Sequence, residues 1–397
     1  MNTTDAISPI ENQPNWRNLA AACGAITVFG FPLGLTYPLL SLILEARGVS
    51  SELIGLNGAM MPLGILVFSV FIPVMTKRFG ERNVAIGAAL LTAVTILAYK
   101  QFDTLSAWFL IRFLQGMSIS VLFVLSEAWI VGFSGDKHRG KIVAIYGTIL
   151  SASFGLGPFI ISVIGIEGWL PFILGTIIVL VGVIPLLFIQ LEATPASGHA
   201  PTLGISSFAS KAPMLLACVC VFSIFDAATL SLFSVYGVKV GLSLADSANL
   251  LTVLMLANVF FQLPIGWLAD RYPHRRVLLG CALVATITLM VFPLLIGTLS
   301  MWPTLVVMGA AGFGLYTVTL VSLGDRFTGS ELIDGMSAFS VVWGLGALFG
   351  SIMGGWAMAG FGPHGLPVSL GVVFLMLSLG LCWRRITRGK AAIQLPH

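Results

Sequence analysis

Twelve apolar segments, each about the length of a bilayer crossing and joined by short polar turns, restrict this chain to one kind of fold. They run near 17–43, 53–75, 83–99, 105–131, 142–165, 169–189, 212–238, 247–269, 277–298, 304–323, 336–358 and 367–383. A spanning helix needs roughly 20 mostly apolar residues. Charged residues make up 9% of the chain, against about 25% in a soluble domain, so most of its surface is not built for water. A β-barrel would show alternating strands of about ten residues, and these continuous runs are the opposite pattern. The expected fold class is an all-α membrane protein of twelve transmembrane helices.

The second constraint is an internal repeat. Subtracting 193 carries the "GWLADRYPHRR" stretch (Gly266 to Arg276) onto "PVMTKRFGER" (Pro73 to Arg82). It places Asp270 on Lys77, Arg271 on Arg78, Gly241 on Gly48 and Thr229 on Thr36. Further on, a shift of 195 carries Gly335 onto Gly140 and Gly350 onto Gly155, the drift expected from a small loop insertion. The one long polar interruption, Glu192 to Pro213, is rich in Pro, Gly, Ala and Ser and reads as a linker with room for one short helix. The chain therefore divides into six helices at 1–190, a linker at 191–211 and six helices at 212–397. Two pseudo-symmetric bundles of this kind are the architecture of alternating access.

Basic residues set the orientation. If the Lys77 and Arg271 loops are cytoplasmic, three of the 20 Lys and Arg (Arg47, Lys100 and Lys239) fall outside and Arg112 lies within a span. The other sixteen then fall inside with both termini, a strong positive-inside bias. The net charge of +4 reports that topology, and no nucleic-acid partner is expected. The first apolar stretch is too long for a signal-peptide core and is expected to remain as the first helix. All five cysteines sit in apolar stretches, where they read as packing residues. The five histidines form no metal-ligand spacing.

Three charges stand where a membrane disfavours them. Asp226 lies twelve positions from each end of the 214–238 segment. A carboxylate at mid-bilayer costs about 2.5 kcal/mol or more unless it is protonated, paired or facing water. Ser223 and Thr229, three residues to either side, extend a polar stripe on the same helix face. Proton coupling or substrate contact is one role for Asp226, and cross-helix hydrogen bonding is the structural one. Arg112 stands two turns from the outer end of the fourth span, with Gln115 and Gly116 one turn on. It keeps its charge and so requires a carboxylate, carbonyls or an anionic substrate, unless it snorkels to the interface. Glu127 is fifteen residues beyond Arg112, about 22 Å along the helix, so the two cannot pair. It belongs to a gate, a cavity floor or the interface. The run Trp343 to Trp356 carries Gly344, Gly346 and Gly350. These glycines permit close helix packing and lack the strand that a dinucleotide fingerprint requires.

These features resemble the major facilitator superfamily over the whole chain. Its signature loop after the second helix, repeated after the eighth, runs Gly-x-x-x-Asp-Arg-x-Gly-Arg-Arg. The second copy matches at Gly266, Asp270, Arg271 and Arg275, with Pro273 in place of glycine. The first departs at Pro73 and Lys77 and keeps Arg78, Gly80 and Arg82. The resemblance implies that these loops latch the cytoplasmic side in the outward-open state, with Glu331 and Asp334 as acidic candidates opposite. Arg112, Gln115 and Gly116 resemble the fourth-helix motif, whose arginine is linked to proton transfer. Gly147, Gly155, Gly157 and Pro158 resemble the fifth-helix antiporter motif, although Ile161 and Ser162 replace its closing glycines. The passage "SEAWIVGFSGDKHRGKIVAIYG" is similar to the YcaD-like branch.

The expected function is secondary active transport, with proton-coupled efflux of small amphipathic or hydrophobic compounds as the first reading. Uptake of a metabolite such as an organic anion, bound by Arg112, is the second. Asp226 would couple protons, with Arg112 its counterpart and Glu127, Gln115, Ser223 and Thr229 as cavity candidates. A proton gradient and no cofactor is expected, with a small-molecule substrate and the lipid bilayer as partners. The expected location is the bacterial inner membrane, as a monomer. A membrane enzyme would need clustered nucleophiles or ligands, which the sequence lacks. A channel would need a continuous polar stripe, and a non-transporting sensor would bind ligand without flux.

Overall fold

The computed structural model describes residues 16–133, 139–189 and 205–393. Lys137, His138, His199, His397 and the linker as far as 204 lie outside the described residues, as do the side chains of Arg139, Lys141, Arg384, Arg385, Arg388 and Lys390. Fourteen α-helices follow in order: α1 Trp16–Ala46, α2 Ser51–Ser69, α3 Ile72–Phe79, α4 Glu81–Gln101, α5 Leu105–Phe133, α6 Arg139–Ile164, α7 Leu170–Val183, α8 Ile205–Lys211, α9 Pro213–Lys239, α10 Leu244–Arg271, α11 His274–Leu295, α12 Met301–Arg326, α13 Gly329–Phe361 and α14 Gly365–Ile393. Twelve helical segments are long and apolar enough to cross a membrane. α3 and α8 are short, and a 3₁₀ turn at Ile184–Phe188 extends α7.

At two expected boundaries the helix ends early, while α13 begins at Gly329 and α14 runs to Ile393, beyond the expected 336 and 383. The second span was expected to run to 75, but the helix breaks at Val70 and Phe71 and resumes as α3, which carries Lys77 and Arg78 on its last turn. The ninth was expected to reach 298 and stops at Leu295, because Gly297 takes a positive φ of 77°. The expected short linker helix is α8, whose Lys211 pairs with Glu331 at 2.6 Å.

The repeat is visible as repeated chemistry. α1 and α9 end in the same C-cap, in which Gly48 and Gly241 adopt φ of 72° and 89°. Val49 N–H reaches Leu44 O at 3.0 Å and Leu242 N–H reaches Gly237 O at 3.0 Å, the six-to-one bond of a Schellman turn. Thr36 and Thr229 each donate back one turn, to Pro32 O and Phe225 O. Arg82 donates to Leu187 O and Arg275 to Leu381 O, so each arginine ties the start of its third helix to the end of its sixth. The bundles are thus two copies of one unit.

Gly48 and Gly241 mark one end of the molecule, and Gly80 with the α10–α11 turn marks the other. Contacts between the bundles gather toward the Gly48 end. There Lys239 Nζ lies 3.0 Å from Glu45 on the opposite bundle. α2 runs against α13 with glycine on both sides: a Cβ on Gly55 would strike Ser351 O, and one on Gly355 would lie 2.5 Å from Ser51 O. Such small-residue seams let helices pack without a hydrophobic drive between them. At mid-height Asn258 of α10 reaches Ser151 of α6 at 3.5 Å. Toward the Gly80 end α5 and α12 are not a closely packed pair among the described residues.

Candidate functional site

The site begins with a first helix that carries two prolines. Pro32 and Pro38 lie inside α1, and each removes a backbone donor from the helical ladder. Between them Thr36 and Tyr37 turn toward α5 and α2. Tyr37 donates to Gly58 O of α2 at 3.2 Å, and the Arg112 guanidinium carbon lies 4.8 Å from the Tyr37 ring centre. A cation over an aromatic face gains about 2 kcal/mol or more when desolvated, one way a charge is held where water cannot reach.

Arg112 is fully buried, so it does not snorkel. Its Nη2 donates to Thr36 O at 3.2 Å, while Nε and Nη1 have no partner. Gln115 accepts from Tyr99 Oη at 2.8 Å and from Thr36 Oγ1 at 3.3 Å, leaving its own Nε2 free. Tyr99 is fixed in turn by Trp108, whose Nε1 donates to Tyr99 O at 2.9 Å. Arg47, paired with Asp103, covers the Trp108 ring at the Gly48 end. Three donor positions therefore converge in the first bundle unsatisfied. A buried, unpaired donor costs about 1–3 kcal/mol, more when charged.

Across the interface stands Asp226 on α9, 9% exposed. Its carboxylate receives no hydrogen bond among the described residues, and it makes no ion pair with Arg112. Tyr37 is within electrostatic reach of both. The structure thus assembles Arg112, Gln115 and Tyr37 at one site, with Asp226 of the other bundle within electrostatic reach of that tyrosine. It separates Ser223 and Thr229 from that group. Both are fully buried with their hydroxyls closed onto their own helix, Ser223 on Cys220 O and Thr229 on Phe225 O and Asp226 O. Ser223 is also packed against Gly346. In this conformation both hydroxyls are thus occupied within α9.

Glu127 lies nearer the Gly80 end. It is exposed and makes no hydrogen bond among the described residues. It lies within electrostatic reach of Tyr146 on α6 and Tyr316 on α12, and Asp226 reaches Tyr316 as well. Tyr316 stacks on Phe222 with ring centres 4.5 Å apart, and Phe29 faces Phe123 at 4.7 Å. Aromatic rings of both bundles thus lie near these two carboxyls.

The signature loops act within their own bundles in this conformation. Asp270 is exposed and makes no ion pair among the described residues. Arg271 stacks on Trp267 at 5.3 Å and Arg78 on Phe79 at 5.3 Å. Glu331, expected opposite the loop, is held by Lys211. Gly266 has open space around it, so its glycine is not required by packing. The other glycines do serve packing. A Cβ on Gly157 would strike Gly34 of α1, on Gly344 Leu66, and on Gly350 Ile224; Gly155 meets Met255 at 3.4 Å. Pro158 follows inside α6.

Sequence reasoning missed Tyr37, Tyr99 and Tyr316, and the Glu45–Lys239 pair. A signal was present: the chain has 6 Tyr beside 27 Phe, and a hydroxyl kept inside a span is a choice that needs a partner.

A model of the family described as Major Facilitator Superfamily matches residues 22–249 and again 216–397. The chain is 24% identical over 371 residues to the uncharacterized MFS-type transporter YfkF of Bacillus subtilis, covering 92% of this chain and 93% of that protein. It is 24% identical over 353 residues to the uncharacterized MFS-type transporter YcaD of Escherichia coli, covering 86% and 90%. Its fold is similar to the crystal structure of the nucleoside transporter NupG (TM-score 0.74, 13% identity, 92% of this chain and 98% of that one). It is also similar to that of a D-xylose-proton symporter (TM-score 0.70, 15% identity, 92% and 96%).

Proposed function

The chain belongs to the Major Facilitator Superfamily, and on that premise we propose that it is a proton-coupled exporter of small amphipathic or hydrophobic compounds working by alternating access. The bundles rock about a site at mid-membrane, bounded by Asp226 on one side and by Tyr37 and Arg112 on the other. One observation carries this reading: Asp226 is nine-tenths buried at the bundle interface with no hydrogen bond to its carboxylate. A group so placed is stable there only when neutral or when a ligand pairs with it, and that is the requirement for exchanging a proton against cargo. The aromatic rings of Phe29, Phe123, Phe222 and Tyr316 suit an apolar cargo.

Orientation follows the basic residues, with the Gly80 end and both termini cytoplasmic in a bacterial inner membrane. On that orientation we read the conformation as open to the cytoplasm, and Asp270 as a latch that engages when that side closes. We place the boundary between the bundles within 191–211, and take the monomer as the working unit.

A second reading, uptake of a small organic anion, is favoured by the two unpartnered nitrogens of Arg112. Survival of an efflux-deficient bacterial host on a panel of toxic compounds separates the two. Protection that Asp226→Asn removes supports export; absence of protection with protein confirmed in the membrane turns the search to anionic nutrients.

A further inference from the structure

The first bundle carries a lateral groove that no step of the transport cycle uses. It has a volume of about 330 Å³, within the range of pockets that hold small organic ligands, about 300–1,000 Å³. One wall is Phe68 of α2 with Met75 and Phe79 of α3; the other is Val84, Gly87 and Leu91 of α4. Its floor is Met117, Ser118 and Val121 of α5. On α5 Ser118 and Val121 point away from Glu127, so this groove lies on the side of the bundle opposite the central space.

No charged side chain enters it. Of the two polar residues, Ser118 is bonded to Gln115 O and Thr92, and the exposed Asn83 donates one N–H to Phe79 O. Beside it, Val94 and Val74 are 60% and 65% exposed, which is the surface presented to hydrocarbon. Such a lining suits an aliphatic chain.

The rim supplies the opposite chemistry. Arg78 lies over Phe79, a wall residue, at 5.3 Å, and Lys77 precedes it on the last turn of α3. Neither makes an ion pair among the described residues. The nearest acid in sequence, Glu81, accepts from Trp129 Nε1 at 2.7 Å. In the second bundle the position equivalent to Lys77 is Asp270, which would repel a phosphate.

We propose that this groove and rim form a binding site for an anionic glycerophospholipid, its acyl chain in the groove and its phosphate on Arg78 and Lys77. The leaflet is the one the Gly80 end faces, cytoplasmic in the orientation proposed above. Lys77 thereby replaces a latch acid with a headgroup ligand, and the lipid props α3 against α4 in the first bundle alone.

Native mass spectrometry of the full chain in detergent, with phosphatidylglycerol or phosphatidylethanolamine of identical acyl chains, tests this without reference to orientation or transport. The wild type should retain phosphatidylglycerol over phosphatidylethanolamine by roughly tenfold, since each basic residue adds to anionic-lipid affinity. Lys77→Gln/Arg78→Gln should bring that ratio to near one while both lipids still bind. Gly87→Leu should lower binding of both, because a Cβ on Gly87 meets nothing within 4 Å and the larger side chain fills the groove without a clash. Equal retention of the two lipids by the wild type overturns the proposal, as does a preference that survives the double substitution.

Discussion

Gly58→Ala should push the equilibrium away from the state closed at the Gly48 end. Gly58 on α2 faces Ser231 on α9, and a Cβ there would lie 2.6 Å from Ser231 Oγ and 3.1 Å from its Cβ. Ordinary contact begins near 3.4 Å, so the Ser231 hydroxyl must leave its bond to Ser351 and its Cβ must retreat by about 0.3 Å. Overpacking of that kind costs roughly 1–3 kcal/mol. The cost arises only while the bundles touch here, so the population should move by about 5- to 150-fold toward the alternative state. Spin labels at Phe102 and Leu299, exposed turn positions of the two bundles at 59% and 86%, report the Gly48 end by double electron–electron resonance. A second pair at Asn83 and Tyr272 reports the other end. The first distance should lengthen and the second shorten. Ser231→Ala in the same chain removes the closest atom and should return most of the population. On its own that change leaves Ser351 its bond to Ala227 O and should leave the distances as in the wild type. Unaltered distances in Gly58→Ala, with a lowered melting temperature, would refute the reasoning by making the contact part of the fold in every state.

Arg112→Lys should reduce transport at least tenfold, because an ammonium neither stacks flat on Tyr37 nor offers a planar fork; full flux in liposomes would remove the arginine-specific role. Glu45→Gln deprives Lys239 of its partner across the interface. It should open the Gly48 end by about fivefold, from a pair contributing about 1 kcal/mol, and should abolish the salt dependence of the Phe102–Leu299 distance; a salt response equal to that of the wild type contradicts this. Asp270→Asn should shift the two populations, read as altered cysteine labelling at the Gly80 end. Identical labelling disposes of the latch.

The twelve spans were legible because hydrophobicity over about 20 residues survives any detail of packing. Their ends were less so. The break at Val70 and Phe71 occurs inside an apolar run, and nothing in "FSVFIPVM" marks it except Pro73 two residues later. Asp226 and Arg112 announced themselves as charges in hydrocarbon. Tyr37 did not, since an aromatic residue between two prolines of a span reads as packing until Gly58 O and Arg112 are seen on either side of it. Ser223 and Thr229 present the reverse case. Helical spacing put them on the Asp226 side, but a hydroxyl in a membrane helix satisfies itself on the carbonyl one turn back. The Glu45–Lys239 pair joins residues 194 apart in sequence, and only the way the bundles meet brings them together.

The central claim is that Asp226 couples proton binding to the rocking of the bundles. The most direct test is the Phe102–Leu299 distance distribution measured against pH, in the wild type and in Asp226→Asn, with no substrate required. Protonation removes the cost of burying the carboxylate in the state described here. Acid should therefore populate the short distance in the wild type, while Asp226→Asn should hold it at every pH. A wild-type distribution that ignores pH, or a variant that responds to pH as the wild type does, would contradict the account.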